Sequence, residues 1–192
     1  MSISVKNMEK KEIRKKVLDI RNKLPETVRR EKSIRIAEAV CKTSCFQEAS
    51  SILVYCHFRS EAETDCLMEK AWEMGKKVYC PRVEGKEMEF YRIRSRRDLE
   101  SGSFGIREPG LHCQVFDERE EHLPLVILPG AVFDWNRHRI GYGGGFYDRY
   151  LAKHPGLRTA AICFEEQMQE EIPFESFDIR PDLIVTDQHC YK

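Results

Sequence analysis

Short apolar runs alternate with helical segments along this chain, and that alternation limits the fold more than any other feature of the sequence. Strands are predicted at 51–56, 77–83, 88–93, 125–128, 158–164 and 183–186. Helices are predicted at 13–24, 28–41, 64–74 and 146–154, from apolar residues at helical spacing and from the prolines and glycines that bound them. Short strands that alternate with helices are typical of an α/β fold, in which a mostly parallel sheet has helices on both faces.

The composition narrows the class of protein further. A chain of 192 residues can bury one sizeable core, and we expect a single domain over 1–192. Its 32 basic and 32 acidic residues balance, so no global field favours nucleic acid or an acidic membrane. Several of its 8 cysteines fall inside apolar strands, so neither a disulfide framework nor a metal–thiolate site is predicted. Without an apolar run of membrane-spanning length or a signal-peptide pattern, we expect a cytoplasmic monomer with no nucleic-acid or membrane partner.

Four glycines fall within the five positions 141–145, and the string Phe146-Tyr147-Asp148-Arg149 follows them. Glycine loses much freedom on folding, so such a run favours a close approach of the backbone to a ligand. The run lies between the strand 125–128 and the helix 146–154, where N–H groups and the helix dipole both favour an anion. The Walker phosphate-loop pattern is absent. A phosphate site is the preferred interpretation, and a flexible surface turn is the alternative.

The residues around this run resemble the signature of the 5-formyltetrahydrofolate cyclo-ligase family, also called 5,10-methenyltetrahydrofolate synthetases. The signature is carried by Leu128-Pro129-Gly130-Ala131-Val132-Phe133-Asp134 and by Arg139-Ile140-Gly141-Tyr142-Gly143-Gly144-Gly145-Phe146-Tyr147-Asp148-Arg149. Further matches extend over nearly the whole chain, at Lys10, Arg14, 61–64, 81–82, 104–109 and Asp178. The expected α/β fold is of the Rossmann-like three-layer kind, as in isomerase and CoA-transferase-like folds.

The resemblance implies an ATP-dependent, Mg²⁺-requiring conversion of 5-formyltetrahydrofolate to 5,10-methenyltetrahydrofolate, with ADP and phosphate as products. The formyl group is an amide whose oxygen is a poor leaving group. Phosphorylation of that oxygen lets N10 of the folate close the ring and expel phosphate. The protein then has to align the two substrates, neutralise charge and exclude water.

The resemblance also assigns roles to residues. The ATP-binding residues are Lys10, Lys11, Arg14, Arg139, Ile140, Gly141, Tyr142, Gly143, Gly144, Gly145, Phe146 and Tyr147. The substrate-binding residues are Cys56, Glu61, Phe104, Tyr142, Gly143, Gly144, Gly145 and Phe146. Asp148 and Asp178 match metal positions, and catalytic roles are expected for Arg14, Arg139 and Tyr147.

Other interpretations stay open for several of these residues. They are solvated helix charges for Lys10 and Arg14, a surface glutamate for Glu61, a helix cap for Asp148 and an ordinary turn for Asp178. Arg137 replaces the family's usual glycine, and either a changed turn or an added cation near the phosphates is expected there. The alternative functions are a folate- or nucleotide-binding module without turnover and a phosphosugar isomerase or CoA-transferase type of enzyme.

Overall fold

The computed structural model describes residues 8–102 and 105–192. Its strands are β1 Ser51–Val54, β2 Lys77–Glu84, β3 Glu87–Ile93, β4 Leu99–Ser101, β5 Arg107–Pro109, β6 Leu125–Leu128, β7 Val132–Asp134, β8 Arg139–Ile140, β9 Arg158–Ile162, β10 Met168–Gln169, β11 Leu183–Val185 and β12 Cys190–Tyr191. Its α-helices are α1 Lys10–Lys23, α2 Glu26–Cys41, α3 Ser44–Glu48, α4 Asp65–Glu73 and α5 Phe146–Lys153.

The main sheet has seven strands in the order β12-β11-β9-β6-β1-β2-β3. Its five central strands are parallel, because β1 pairs in parallel with β2 and β6, and β9 pairs in parallel with β6 and β11. The edge strands β3 and β12 are antiparallel to their neighbours. The prediction of an α/β fold with a mostly parallel sheet is therefore confirmed.

Helices cover both faces of this sheet, and the side chains of β1 show how. Ile52 and Val54 belong to the cluster that includes the buried residues of α2 and α4. Leu53 belongs to the cluster that includes Tyr150 and Leu151 of α5. Successive side chains of a strand point to opposite faces, so a run of apolar residues can bury both.

The amino-terminal helix packs against a second, smaller sheet with the order β10-β7-β8. Ile13 and Val17 of α1 lie in one buried cluster with Val132 of β7 and Ile140 of β8. Both α1 residues are fully buried. This contact places α1 beside the chain segment that runs from β6 to the glycines.

The structure also corrects several element boundaries. The segment 129–140 was predicted without strands, yet it contains β7 and β8, which are too short to give a periodic pattern. No strand was predicted in 97–114, yet it contains the β4–β5 hairpin, and β12 follows the strand 183–186, the last that was predicted. The predicted strands 51–56 and 158–164 extend two residues too far, because the residues after β1 and β9 stay buried and apolar.

Candidate active site

A cavity of about 740 Å³ lies at the carboxyl ends of β1 and β6, where the loops after both strands meet α1. Parallel α/β sheets bind their ligands at this edge. The predicted site residues that line it are Lys10, Arg14, Cys56, Glu61, Arg139, Ile140, Gly141, Tyr142, Gly143, Gly144, Gly145, Phe146, Tyr147, Asp148 and Asp178. Residues 125 or more positions apart in the sequence thus meet in one cavity.

The glycine loop, residues 141–145, has a backbone that other residues would adopt only with strain. Gly143 has a φ of 99° and Gly145 a φ of 64°, both in the region that favours glycine. Gly145 is the N-cap of α5 and offers no side-chain acceptor to the helix. The first N–H groups of α5 therefore remain available to an anion at the cavity.

Two cations of α1 reach the loop side of the cavity. Arg14 donates from Nε to the carbonyl oxygen of Gly141 at 2.7 Å. Lys10 forms ion pairs with Asp178 and, at 2.7 Å, with Glu175. These carboxylates raise the pKa of Lys10 against the opposing effect of burial, so its ammonium group is charged at neutral pH. Neither residue is a solvated helix charge.

Arg139 is buried in the wall of the cavity with Asp148 as its ion partner. Its Nη2 donates to Asp148 Oδ1 at 2.6 Å, and its Nη1 donates to the carbonyl oxygen of Pro129 at 3.3 Å. The same Asp148 oxygen accepts from the N–H of Ile179 at 3.2 Å. The alternative of Asp148 as a helix cap is wrong, because Gly145 holds the cap position and the carboxylate is bound elsewhere.

Another part of the cavity wall contains Glu61 and the side chain of Tyr142, which belongs to the glycine loop. Glu61 Oε2 accepts from the N–H of Phe58 at 2.8 Å, and the Tyr142 hydroxyl accepts from Arg21 Nη1 at 2.6 Å. Burial raises the pKa of the Glu61 carboxyl, although the Tyr142 hydroxyl and the Phe58 N–H partly oppose this shift. The cavity therefore holds a carboxyl group with a raised pKa beside Tyr142 of the glycine loop.

Sequence reasoning assigned no role to three arginines that line this cavity, Arg21, Arg59 and Arg149. Arg21 is 4% exposed and donates from Nε to Ser60 at 3.0 Å. Arg21 lies four residues after Val17, which lies four residues after Ile13, so all three are on one face of α1. A cation on this apolar face is the sequence signal that could have identified Arg21. Ile20 and Leu24, whose spacing from Ile13 and Val17 contributed to the helix prediction, are only half-buried. Arg149 lines the cavity and had been assigned no role.

Comparison with known proteins decides the family. A model described as the 5-formyltetrahydrofolate cyclo-ligase family matches residues 6–187. The chain belongs to this family. Membership confirms the predicted reaction class, a ligase that uses ATP, acts on a folate and serves one-carbon metabolism. The alternatives of a non-catalytic module and of an isomerase or CoA transferase are therefore not supported.

Individual relatives agree with this cyclo-ligase assignment. An NMR structure of 5,10-methenyltetrahydrofolate synthetase from Aquifex aeolicus has a TM-score of 0.84 and 30% identity, and it covers 96% of this chain and 93% of that one. A probable cyclo-ligase of Schizosaccharomyces pombe is 28% identical over 88% of this chain and 91% of its own length. A mitochondrial cyclo-ligase of Arabidopsis thaliana is 28% identical over 97% of this chain and 79% of its own length.

These relatives do not fix the cellular compartment, because the family includes a mitochondrial member. None of the helices in 8–102 and 105–192 is long and apolar enough to cross a membrane. The expectations of a cytoplasmic location and a monomeric state stay predictions.

A few of the expected cyclo-ligase residues lie elsewhere. Lys11 is exposed on α1 and does not line the cavity, because it is on the helix face opposite the buried stripe. Phe104 lies outside the described residues. Arg137 keeps the turn of a glycine, with a φ of 69°, and its Nη1 donates to the carbonyl oxygen of Asp182 at 2.8 Å. It adds no cation to the lining of the cavity.

Proposed function

We propose that the cavity brings the γ-phosphate of ATP against the formyl oxygen of 5-formyltetrahydrofolate and holds the folate while its ring closes. One observation carries this proposal. The glycine loop contacts both a cation and a carboxyl group of the cavity, Arg14 through Gly141 and Glu61 through Tyr142. A reaction that joins a triphosphate to a neutral heterocycle needs both groups within one water-poor cavity.

The chemical steps balance without an acid or base supplied by the protein. The formyl oxygen attacks the γ-phosphorus, the bond to the β-phosphate oxygen breaks, and ADP leaves. N10 then attacks the formyl carbon, the carbon–oxygen bond breaks, and inorganic phosphate departs with the proton that N10 loses. The product is the 5,10-methenyl cation. Catalysis by the protein is therefore alignment and stabilisation of charge.

The ATP half of the site consists of the glycine loop, the first turn of α5 and the cations Lys10, Arg14 and Arg139. The N–H groups of the loop supply donors at fixed positions, and the guanidinium groups supply charge where the transferring phosphoryl group develops it. Tyr147 lies 6.4 Å from Phe90 between ring centroids and forms a wall beside the loop. Lys11 has no part in this arrangement, since it does not line the cavity.

Asp148 and Asp178 fit a magnesium ion that binds together with ATP. Both carboxylates line the cavity, and each has a basic partner, Arg139 and Lys10 respectively. Residues 8–102 and 105–192 contain no group of three His, Cys, Asp or Glu side chains that could hold a metal ion by itself. Mg²⁺ commonly binds through one or two carboxylates and the phosphates of its substrate. When bound, it supplies neutralisation of the β- and γ-phosphate charge.

The folate half of the site contains Glu61, Cys56 and the side chains of Tyr142 and Phe146. An ionised Glu61 accepts hydrogen bonds from the N–H groups of the pterin ring, and these replace the hydration that burial removes. Arg21 holds the Tyr142 hydroxyl at 2.6 Å and so fixes one edge of this wall. The exposed part of Tyr142 remains available to the substrate, since the residue is 45% exposed.

The test mixes the purified protein with 5-formyltetrahydrofolate and Mg-ATP and follows the near-ultraviolet absorbance of the methenyl product. We expect product that requires ATP and appears with one ADP per turnover. Tight binding of folate without turnover would indicate a binding module, and product without ATP would refute the phosphorylation step. Removal of Mg²⁺ with a chelator is expected to abolish turnover and to leave folate binding intact.

A further inference from the structure

Arg149 lines the cavity and has no role in the proposed reaction. It lies four residues after Gly145, on the face of α5 that meets the glycine loop. Its Nη1 donates to the carbonyl oxygen of Gly144 at 2.9 Å. Its Nη2 donates to the carbonyl oxygen of Lys86 at 3.0 Å, in the turn between β2 and β3. One guanidinium group thus joins the loop to a hairpin 58 residues earlier in the chain, from Lys86 to Gly144.

Arg149 is exposed, and its guanidinium lies over the backbone of the glycine loop. A Cβ atom built on Gly145 would lie 2.7 Å from Arg149 Nη1, so a side chain at position 145 would displace the guanidinium. The ring of Phe146 lies 5.1 Å from the guanidinium carbon, a distance typical of a cation–π contact. The planar fork of arginine can hold two carbonyl oxygens at once, which a lysine ammonium group on a flexible stem does less well.

The hairpin that receives this contact is itself part of the cavity. Val83 of β2 and Met88 of β3 both line it. A second contact, the ion pair between Lys153 and Glu87 at 2.5 Å, joins α5 to the same hairpin without touching the loop. Lys153 therefore joins α5 to the hairpin, whereas Arg149 joins the glycine loop to it.

We propose that Arg149 is a positioning residue that latches the glycine loop to the β2–β3 hairpin, so that the loop has its ATP-binding shape before ATP arrives. This inference rests on the proposed function for its kinetic consequence. Its physical basis is the flexibility of the backbone at Gly144, which lies between Gly143 and Gly145. Such a backbone samples many conformations unless a contact fixes the carbonyl group of Gly144. Both oxygens that accept from the Arg149 guanidinium are backbone carbonyls, so the contact depends on where the two backbone segments lie.

The experiment compares Arg149→Met and Arg149→Lys with Lys153→Met as the matched control at the same junction. We expect Arg149→Met to raise the KM for ATP about tenfold, which corresponds to about 1.4 kcal/mol. We expect kcat at saturating ATP to change less than KM. Arg149→Lys keeps the charge but not the fork, so it should rescue only part of the loss. Lys153→Met should leave both constants at the wild-type values.

Amide hydrogen exchange of the ligand-free protein provides a readout that does not depend on catalysis. Residues 143–146 are expected to exchange faster in Arg149→Met than in the wild type, with the central strands unchanged. A wild-type KM for ATP in Arg149→Met would refute the latch. Full rescue by Arg149→Lys together with unchanged exchange would also refute it, since charge alone would then explain the effect. If the wild-type protein makes no product, the proposed function fails, while hydrogen exchange still tests the latch.

Discussion

Replacing Gly143 by alanine tests whether the shape of the glycine loop matters for ATP. The perturbation is unusually clean. An added Cβ would have Arg14 Nη1 as its nearest neighbour at 3.6 Å, which is ordinary van der Waals contact, so no clash is introduced. The penalty comes from the backbone alone, because Gly143 has a φ of 99°.

The backbone of an alanine at position 143 would be strained. An L-residue that adopts a left-handed backbone conformation costs about 1–2 kcal/mol of conformational free energy. The φ of Gly143 lies beyond the usual left-handed range of about +50° to +70°, so the cost belongs at the upper end. If ATP binds only the native loop shape, that energy is lost from binding. A loss of about 1.4 kcal/mol is tenfold, so a cost of about 2 kcal/mol predicts that the KM for ATP rises about thirtyfold.

The assay is steady-state formation of the methenyl product at varied ATP, with Gly75→Ala as the control. Gly75 has a φ of 73°, lies just beyond α4 and would place its Cβ in open space. We expect Gly75→Ala to lower the free energy of unfolding by about 1 kcal/mol and to leave the KM for ATP unchanged. A wild-type KM for ATP in Gly143→Ala would contradict the reasoning and would favour the flexible surface turn.

Three other substitutions test the rest of the site. Arg14→Ala should lower kcat about a hundredfold, the scale for one lost group that stabilises transition-state charge, whereas Lys15→Ala on the exposed face of α1 should not; equal kinetics in both variants would exclude a role for Arg14. Glu61→Gln should abolish folate binding and yet stabilise the free protein above the normal glutamate pKa. The reason is that burial raises the folded-state pKa of Glu61, so its stability contribution is present at low pH and is lost as pH rises through that pKa. Thermal unfolding at pH 4 and pH 8 would show this, and equal stability of variant and wild type at pH 8 would contradict it. Arg137→Gly relieves a left-handed strain of about 1 kcal/mol, but it stabilises the unfolded state by about 0.5–1 kcal/mol through added chain entropy. Because these effects oppose each other, the free energy of unfolding measured in urea should change by less than about 1 kcal/mol. The KM for ATP should not change in that variant, and a rise would restore Arg137 as a phosphate-site cation.

The sequence by itself determined the parallel sheet, the helices on both faces and the position of the glycine loop. These features are encoded locally. Four-residue apolar strands such as Leu125–Leu128, glycines that permit positive φ, and prolines that end helices each act over a few residues. The signature around the glycine loop then identified the family, which the family-model match confirms.

Only the tertiary structure decided which side chains face one another. Arg14 and Gly141 are 127 positions apart, and Arg21 and Tyr142 are 121 apart, so no local pattern relates them. The same holds for the contact of Asp148 with the N–H of Ile179, 31 positions later, and for that of Arg149 with Lys86, 63 positions earlier. Local propensity sets the elements, but the burial of a cation on an apolar helix face depends on what the fold brings against that face. That is why Arg21 is buried in the cavity wall while Lys11, on the same helix, faces solvent.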